Sequence, residues 1–176
     1  VGLGLVLIAM GPTHELIEME SGRNATFVEC DVTDLEDLRS AIETAETYGG
    51  IDILVNNAGI GLGPGFLEST EDDFDRTVAV NTRAVYFGSQ VAAERMLAGD
   101  GGSIINIASI YADVPSGTDV PYSTSKGAVR TMTYALADAL GPEIRVNAIH
   151  PGTIETAMTV KDTELIGSEL EQDRIE

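Results

Sequence analysis

Three short apolar runs, each breaking off into polar or glycine-rich residues, most constrain what this chain can fold into. Ile51–Val55 (IDILV) runs into Asn56-Asn57-Ala58-Gly59, Ser103–Ala108 (SIINIA) into Ser109, and Ile144–Ile149 (IRVNAI) into His150-Pro151-Gly152-Thr153. Runs this short and continuously apolar are the pattern of strands in a sheet covered on both faces. Stretches of helical periodicity surround them: Leu35 to Tyr48, Glu71 to Thr77, Val78 to Leu97 and Tyr122 to Leu140. The last carries an apolar stripe of Ala128, Val129, Met132, Ala135, Leu136 and Ala139 and stops at Gly141-Pro142. Thr33 is expected to cap the first of these helices. Upstream, Val1–Met10 (VGLGLVLIAM) reads as a buried strand, or as a strand joined to a helix start, and Ala25–Cys30 (ATFVEC) as another strand. His14–Glu20 reads as a short helix, with His14 solvated at its start, and the acidic tail from Lys161 as a mobile helix or lid. Strands alternating with helices imply a parallel sheet wound by right-handed crossovers. The expected fold class is therefore α/β, a Rossmann-type doubly wound sheet in three layers, with residues 1–176 forming one domain.

Bulk composition narrows the function. With 29 acidic against 10 basic residues the formal charge is −19. Nucleic acid and anionic membrane surfaces are poor partners for such a chain, since phosphate binding needs clustered Lys and Arg. Extreme acidity with only two lysines, Lys126 and Lys161, fits a high-salt cytoplasm, although a merely acidic mesophilic protein shares it. The single Cys30 excludes an internal disulfide and fits a reducing compartment. Residues 1–10 lack a basic leader and a cleavage site, and no apolar run is long enough to span a membrane, so a cytoplasmic location is expected. No metal site is expected.

One of those two lysines sits where chemistry can use it. Tyr122 and Lys126 are four residues apart, which on a helix places them on one face, one turn from each other. A free phenol with a pKa near ~10 is a poor proton carrier at neutral pH. An ammonium one turn away, with the positive end of the helix dipole, is expected to pull that value down. Ser109, delivered from a strand end, could hold a carbonyl or hydroxyl oxygen beside the phenol. The alternative is an ordinary surface helix. Position favours the first reading, because ligands of open parallel sheets bind beyond the carboxyl ends of the strands. Asp31, Asn56 to Gly59, Ser109 and Pro151-Gly152 all fall there. Asn57-Ala58-Gly59 offers small side chains past which a flat or charged group could approach the backbone, or else it is simply a tight turn.

Taken together, Asn56-Asn57-Ala58-Gly59, Asn81, Ser109, Tyr122-x-x-x-Lys126 and Pro151-Gly152-x-Ile154-x-Thr156 resemble the classical short-chain dehydrogenases/reductases. The order and separations agree, including the thirteen residues from Ser109 to Tyr122, over roughly Ala25 to Met158. The resemblance implies an NAD(P)-dependent oxidoreductase acting on an alcohol or carbonyl substrate. Tyr122 would be its acid/base, Lys126 would lower the pKa of Tyr122 and hold the nicotinamide ribose, and Ser109 would bind the reacting oxygen. Asn81 would hold a water relaying protons from Lys126, unless it only makes a backbone contact inside its helix. Asp31 and Val32 would meet the adenine ring, Asn57, Ala58 and Gly59 the ribose side, and Pro151, Gly152 and Ile154 the carboxamide side. Homodimers or homotetramers are implied as well, in line with small and apolar residues over more than one face of Val78–Leu97 and Tyr122–Leu140 (Ala84, Ala92, Ala93, Ala128, Ala135).

The chain departs from the family pattern at both ends. The Thr-Gly-x-x-x-Gly-x-Gly phosphate loop is absent, Gly2-Leu3-Gly4 being too short a match, and the final helices and strand expected after Met158 are missing too. The choice between NAD and NADP is left open. Ile60–Phe66, Ile110–Pro115 and the segment after Thr153 would line the substrate pocket, with Tyr111 and Asp113 as polar anchors. A small polyol, a sugar, a β-ketoacyl thioester or a cyclic alcohol would all suit it. Rival readings are a catalytically inactive binding or scaffold subunit, a truncated relic, and an unrelated nucleotide-binding domain. If Ala25–Cys30 is the third strand and Ile51–Val55 the fourth, Val1–Met10 cannot supply both strands that belong between them in the order 3-2-1-4-5-6. As written, the sheet should be split at its centre, and the protein is expected to be longer than these residues.

Overall fold

The computed structural model describes residues 5–7, 25–61 and 63–154. Its elements are β1 (Leu5–Leu7), β2 (Ala25–Phe27), α1 (Leu35–Glu46), β3 (Ile53–Asn56), α2 (Glu71–Val78), α3 (Ala84–Ala98), β4 (Gly102–Ile107), α4 (Val120–Leu140) and β5 (Ile144–Ile149). A π-helical turn, Ala79–Arg83, joins α2 to α3, and a short 3-10 turn, Ile110–Ala112, precedes α4. The expected helix at His14–Glu20, the Gly2-Leu3-Gly4 stretch, Thr156 and the acidic tail lie outside the described residues.

All strand pairs are parallel, which agrees with the Rossmann-type expectation. Among the described residues the strands form two separate sheets, β1-β2 and β3-β4-β5. Only one strand, Leu5–Leu7, is described within Val1–Met10, and it pairs residue for residue with Ala25–Phe27. β3 departs from the expected burial on both faces: Ile53 is 57% and Val55 50% exposed. As the edge strand of its sheet it pairs only with β4 among the described residues, and an edge strand lacks a neighbour to cover its side chains.

Capping residues explain where the helices begin. Asp34, rather than Thr33, caps α1, its Oδ1 accepting the backbone N–H of Glu36 (2.7 Å) and Asp37 (3.2 Å). Thr33 is already committed, its N–H and hydroxyl both donating to Asp31 Oδ1 (2.9 and 2.8 Å). Thr70 and Asp73 form a reciprocal capping box at the start of α2. α4 starts two residues earlier than its periodicity indicated, because Asp119 Oδ1 accepts the Tyr122 N–H (3.0 Å) and Pro121 suits the first turn. β5 spans the residues its apolar run marked out.

The main core gathers Ile42 of α1, Val91, Ala92 and Met96 of α3, Ile104 of β4 and Ile144 and Val146 of β5, with Leu136 and Leu140 of α4 packed on it. A smaller cluster of Val85, Ala108 and Val129 lies nearer the strand ends that carry the site. Between these apolar clusters runs a chain of buried polar bonds. Asn56 Nδ2 donates to Ser89 Oγ (2.9 Å) and to Asn106 Oδ1 (2.8 Å), and Asn106 Nδ2 donates to Thr133 Oγ1 (3.0 Å). A buried amide left unpaired costs ~1–3 kcal/mol, so this chain fixes the relative placement of β3, β4, α3 and α4. Among the described residues no helix is long and apolar enough to cross a membrane.

Candidate active site

Ser109 follows β4 and caps the 3-10 turn, its Oγ accepting the Tyr111 N–H (3.2 Å); it is 6% exposed. The loop after β5 meets it there, since the Ile110 N–H donates to the Pro151 carbonyl (2.9 Å). Tyr122 and Lys126 reach the same place from the first turns of α4, and the Ser109 side chain lies near enough to the Tyr122 hydroxyl to lower its pKa. The Lys126 ammonium lies 5.6 Å from the centre of the Tyr122 ring and donates to the Ile107 carbonyl (2.7 Å). Ser109, Tyr122 and Lys126 thus come together as their spacing indicated.

The electrostatics run against expectation. Burial raises the Tyr122 pKa above its ordinary value; the Ser109 hydrogen bond pulls it down, and the nearby Asp119 and Tyr111 add to the rise. The lysine was expected to dominate and lower it. Instead Lys126, only 4% exposed, is itself depressed to about 8 by burial. A lysine that titrates near 8 has lost its charge by the pH at which a phenol ionises, and here its Nζ is directed at a backbone carbonyl. Two groups shifted by burial on one helix face still mark a candidate functional site.

Asn81 is fully buried in the π-helical turn, the kind of helix irregularity that often sits at functional sites. Its Oδ1 accepts the Ile60 N–H (2.8 Å), while Nδ2 donates to the Ile60 carbonyl (2.8 Å) and to Ser125 Oγ (3.0 Å). Of its side chain only the second lone pair of Oδ1 remains for a relay water. What Asn81 visibly does is clamp the loop after β3 to α4, since Ser125 Oγ in turn donates to the Tyr122 carbonyl (2.7 Å).

Asn57, Ala58 and Gly59 follow β3 and pass directly over Lys126. A Cβ built on Gly59 would stand 3.4 Å from Lys126 Nζ and 3.5 Å from Asn81 Oδ1, so glycine suits that close approach. Val32, Asn57 and Ala58 line one cavity together with Val55, Val80 and Gly88, which joins the two segments expected to flank an adenosine. Asp31 sits beside it, and the two bonds from Thr33 hold its carboxyl below the usual range. Arg83, on the π-helical turn, anchors that loop through the Thr33 carbonyl (2.7 Å). Gly152 and Ile154 lie at the exposed end of the β5 loop.

Asp113 is not the free polar anchor expected of it. Arg130 Nε lies 2.8 Å from its Oδ1, and His150 Nδ1 2.7 Å from its Oδ2. The second contact lies off the hydrogen-bonding direction of the imidazole nitrogen. The carboxylate thereby ties the Ser109 loop to α4 and to the end of β5. Tyr111 stays at the mouth of the site, its ring edge-on to that of Tyr122 (6.2 Å between centres, 89°).

Sequence reasoning passed over Ser125, Arg83, Asn106 and Gly61. Asn106 carried a signal, being an amide set among the isoleucines of β4, where it must find a partner. The others carried none, because each acts through a partner 44 or more residues away (Ser125 with Asn81, Arg83 with Thr33) or through the lack of a side chain.

Comparison with known proteins bears on the family and the fold. The family model described as short chain dehydrogenase matches residues 9–166, further in both directions than the motifs reached. L-2,3-butanediol dehydrogenase of Corynebacterium glutamicum is 45% identical over 149 residues, which cover 83% of this chain and 57% of that protein. The crystal structure of a dehydrogenase/reductase from Sinorhizobium meliloti 1021 superposes with a TM-score of 0.78 at 39% identity, covering 88% of this chain and 63% of that one. A gluconate 5-dehydrogenase from Burkholderia cenocepacia J2315, solved with NADP and tartrate, gives a TM-score of 0.79 at 31% identity, covering 90% and 64%. The chain spans somewhat over half the length of the curated relatives it matches, between 55% and 60% of each.

Proposed function

Because the chain belongs to the short chain dehydrogenase family, we propose that it forms part of an NAD(P)-dependent oxidoreductase interconverting an alcohol and its carbonyl compound, with Tyr122 exchanging the proton on the substrate oxygen. The observation that carries this reading is the meeting of Ser109, Tyr122 and Lys126 beyond the carboxyl end of β4, with both ionisable groups shifted by burial.

The residues present fit a dinucleotide. The missing side chain at Gly59 leaves backbone and Lys126 Nζ side by side, and the cavity at Val32, Asn57 and Ala58 has small, mostly apolar walls that suit a flat ring. Asp31 and Val32 would meet the adenine, Asn57, Ala58 and Gly59 the adjoining ribose, Tyr122 and Lys126 the nicotinamide ribose, and Pro151, Gly152 and Ile154 the carboxamide side. When bound, the nicotinamide supplies or accepts the hydride.

The protein's own part is a proton and an orientation. A phenol whose pKa is raised by burial is protonated at neutral pH, so Tyr122 starts as a donor. In the reductive direction its proton passes to the substrate oxygen, which Ser109 holds by its hydroxyl. The resulting phenolate is stabilised by the Lys126 ammonium one helical turn away. Asn81 would hold the returning water of a proton relay. A small neutral alcohol or ketone suits the apolar surroundings, where Val114 and Ile154 are exposed beside the site. The acidic surface and single Cys30 support a cytoplasmic protein of a salt-rich cell, assembling as a homodimer or homotetramer.

The test is Tyr122→Phe, assayed with a panel of alcohols and ketones at the absorbance of the reduced cofactor in high salt. Turnover is expected to fall by ~10²–10⁴-fold, the usual contribution of a general acid/base group, while quenching of nicotinamide fluorescence shows the cofactor still binding. A phenylalanine variant keeping more than about a tenth of wild-type activity rejects the assignment.

A further inference from the structure

One contact of Tyr122 involves no functional group at all. A Cβ built on Gly61 would stand 2.9 Å from Cδ2, 3.2 Å from Cε2 and 3.5 Å from Cγ of the Tyr122 ring. Carbon atoms not bonded to each other prefer ~3.5–4.0 Å, so position 61 cannot carry a side chain unless something shifts. The loop is poorly placed to retreat. Its Ile60 is held at both N–H and C=O by the buried Asn81 amide, which is itself tied to α4 through Ser125. The backbone of α4 is fixed in turn by the Asp119 cap on the Tyr122 N–H. Tyr111 contributes a second wall, meeting the ring edge-on. What can give is the Tyr122 ring itself.

We propose that Gly61 is a positioning residue for Tyr122: its bare backbone is the stop against which the phenol ring rests, and it thereby fixes where the Tyr122 hydroxyl meets Ser109 and the substrate oxygen. The proposal rests on the role of Tyr122 given above. A methyl group at position 61 pushes the whole ring aside, since rotation about its own axis would leave the hydroxyl in place, and so carries the hydroxyl off Ser109 while leaving the cofactor surfaces at Val32, Asn57 and Ala58 untouched.

The experiment compares Gly61→Ala and Gly61→Val with Gly127→Ala, whose Cβ on α4 meets nothing within 4 Å. Three quantities are read on the full protein: kcat and KM for a ketone, nicotinamide affinity by fluorescence, and the ionisation of Tyr122 by ultraviolet difference against Tyr122→Phe without cofactor. Gly61→Ala is expected to lose ~10- to 100-fold in kcat, the scale of a sub-ångström to 1 Å misplacement, with cofactor affinity within about twofold of wild type. The valine variant should lose more and Gly127→Ala nothing. The Tyr122 ionisation midpoint should rise in Gly61→Ala, since the Ser109 bond that lowers it is stretched. Gly61→Ser repeats the test should the alanine variant not fold. A kcat for Gly61→Ala within about twofold of wild type, or a loss shared with cofactor affinity at an unmoved midpoint, overturns the proposal. If instead Tyr122→Phe remains active, it is the reading of Tyr122 that has failed, and the ionisation midpoint alone then decides whether Gly61 sets the ring.

Discussion

Replacing Lys126 with Met should make the protein more stable while removing its activity. In the fold the ammonium is 4% exposed, and burial lowers its pKa from 10.5 to about 8. At ~1.36 kcal/mol for each pH unit, that difference amounts to roughly 3 kcal/mol of destabilisation carried by the charged form. Its sign follows from proton linkage. Below about pH 8 folded and unfolded chains both hold the proton, and the cost is present in full. Between about 8 and 10.5 the folded chain has released it and the unfolded chain has not, so wild-type stability gains with pH over this window. Methionine matches the lysine stem in volume and carries no charge. It loses the bond to the Ile107 carbonyl, which, its donor being charged, offsets ~1.5–3 kcal/mol. The variant should therefore be about 1 kcal/mol more stable at pH 7, or roughly 2–4 °C in Tm at the ~2–4 °C per kcal/mol typical of this size. The assay is a pair of thermal melts from pH 7 to 10 in constant high salt. The gap between variant and wild type should close as pH rises. Tyr122 and Cys30, both raised by burial, make stability fall at alkaline pH in both proteins alike, so they cancel in the difference. A variant melting at or below wild type at pH 7, with a gap independent of pH, would refute the assignment of Lys126 as a buried, costly ammonium.

Two further outcomes follow from surface charge and surface shape. With a formal charge of −19, the protein should lose stability as salt is removed and the screening length grows from ~3 Å at 1 M to ~30 Å at 0.01 M; an unchanged melting temperature across that range would contradict the salt-adapted reading. Tyr86 on α3 and Tyr134 on α4 remain 48% and 62% exposed, and light scattering in molar salt is expected to show an assembly that Tyr86→Glu with Tyr134→Glu dissociates; a wild-type monomer at working concentration removes the basis for it.

Much of the fold was legible because its strongest signal is local. Ile144–Ile149 and Ser103–Ala108 are apolar runs bounded by breakers, and both became strands to within a residue or two. Burial of each face was not legible. Ile53 and Val55 look as apolar as Ile104, yet half of each is exposed while Ile104 is fully covered. Nothing in a five-residue run records how many strands lie beside it. The small residues of α3 make the same point: Ala84, Ala92 and Ala93, read as a possible second apolar face, are all buried within the chain. Asn81 shows a further limit. Helical periodicity runs through it without interruption, whereas the backbone widens there into a π turn, because the change is driven by where its amide must reach across the fold to meet Ile60 and Ser125.

For the site, spacing told which groups would meet, but depth decided what they would be. A separation of four residues fixes Tyr122 and Lys126 on one helix face whatever surrounds them, and the thirteen residues back to Ser109 leave room for one short loop and a cap. The sign of a pKa shift is another matter, since it weighs an attraction of short range against a burial cost set by everything packed around the pair. Ala108 and Val129 close over the lower part of this site, and Gly59 brings backbone directly against the ammonium. These are contacts between residues 21 to 67 positions apart, which no reading of neighbours along the chain could sum. They leave a neutral phenol beside a lysine that keeps its proton up to about pH 8, a pair better poised to give a proton to a carbonyl oxygen than to take one from an alcohol. If that balance holds when the nicotinamide is in place, carbonyl reduction near neutral pH should be the faster direction. Alcohol oxidation, which releases a proton to the medium, should then gain as pH rises, until Lys126 loses its charge near 8 and no longer steadies the phenolate. Forward and reverse rates measured across that range decide it, and an oxidation rate flat with pH would count against a titrating lysine at the centre of the site.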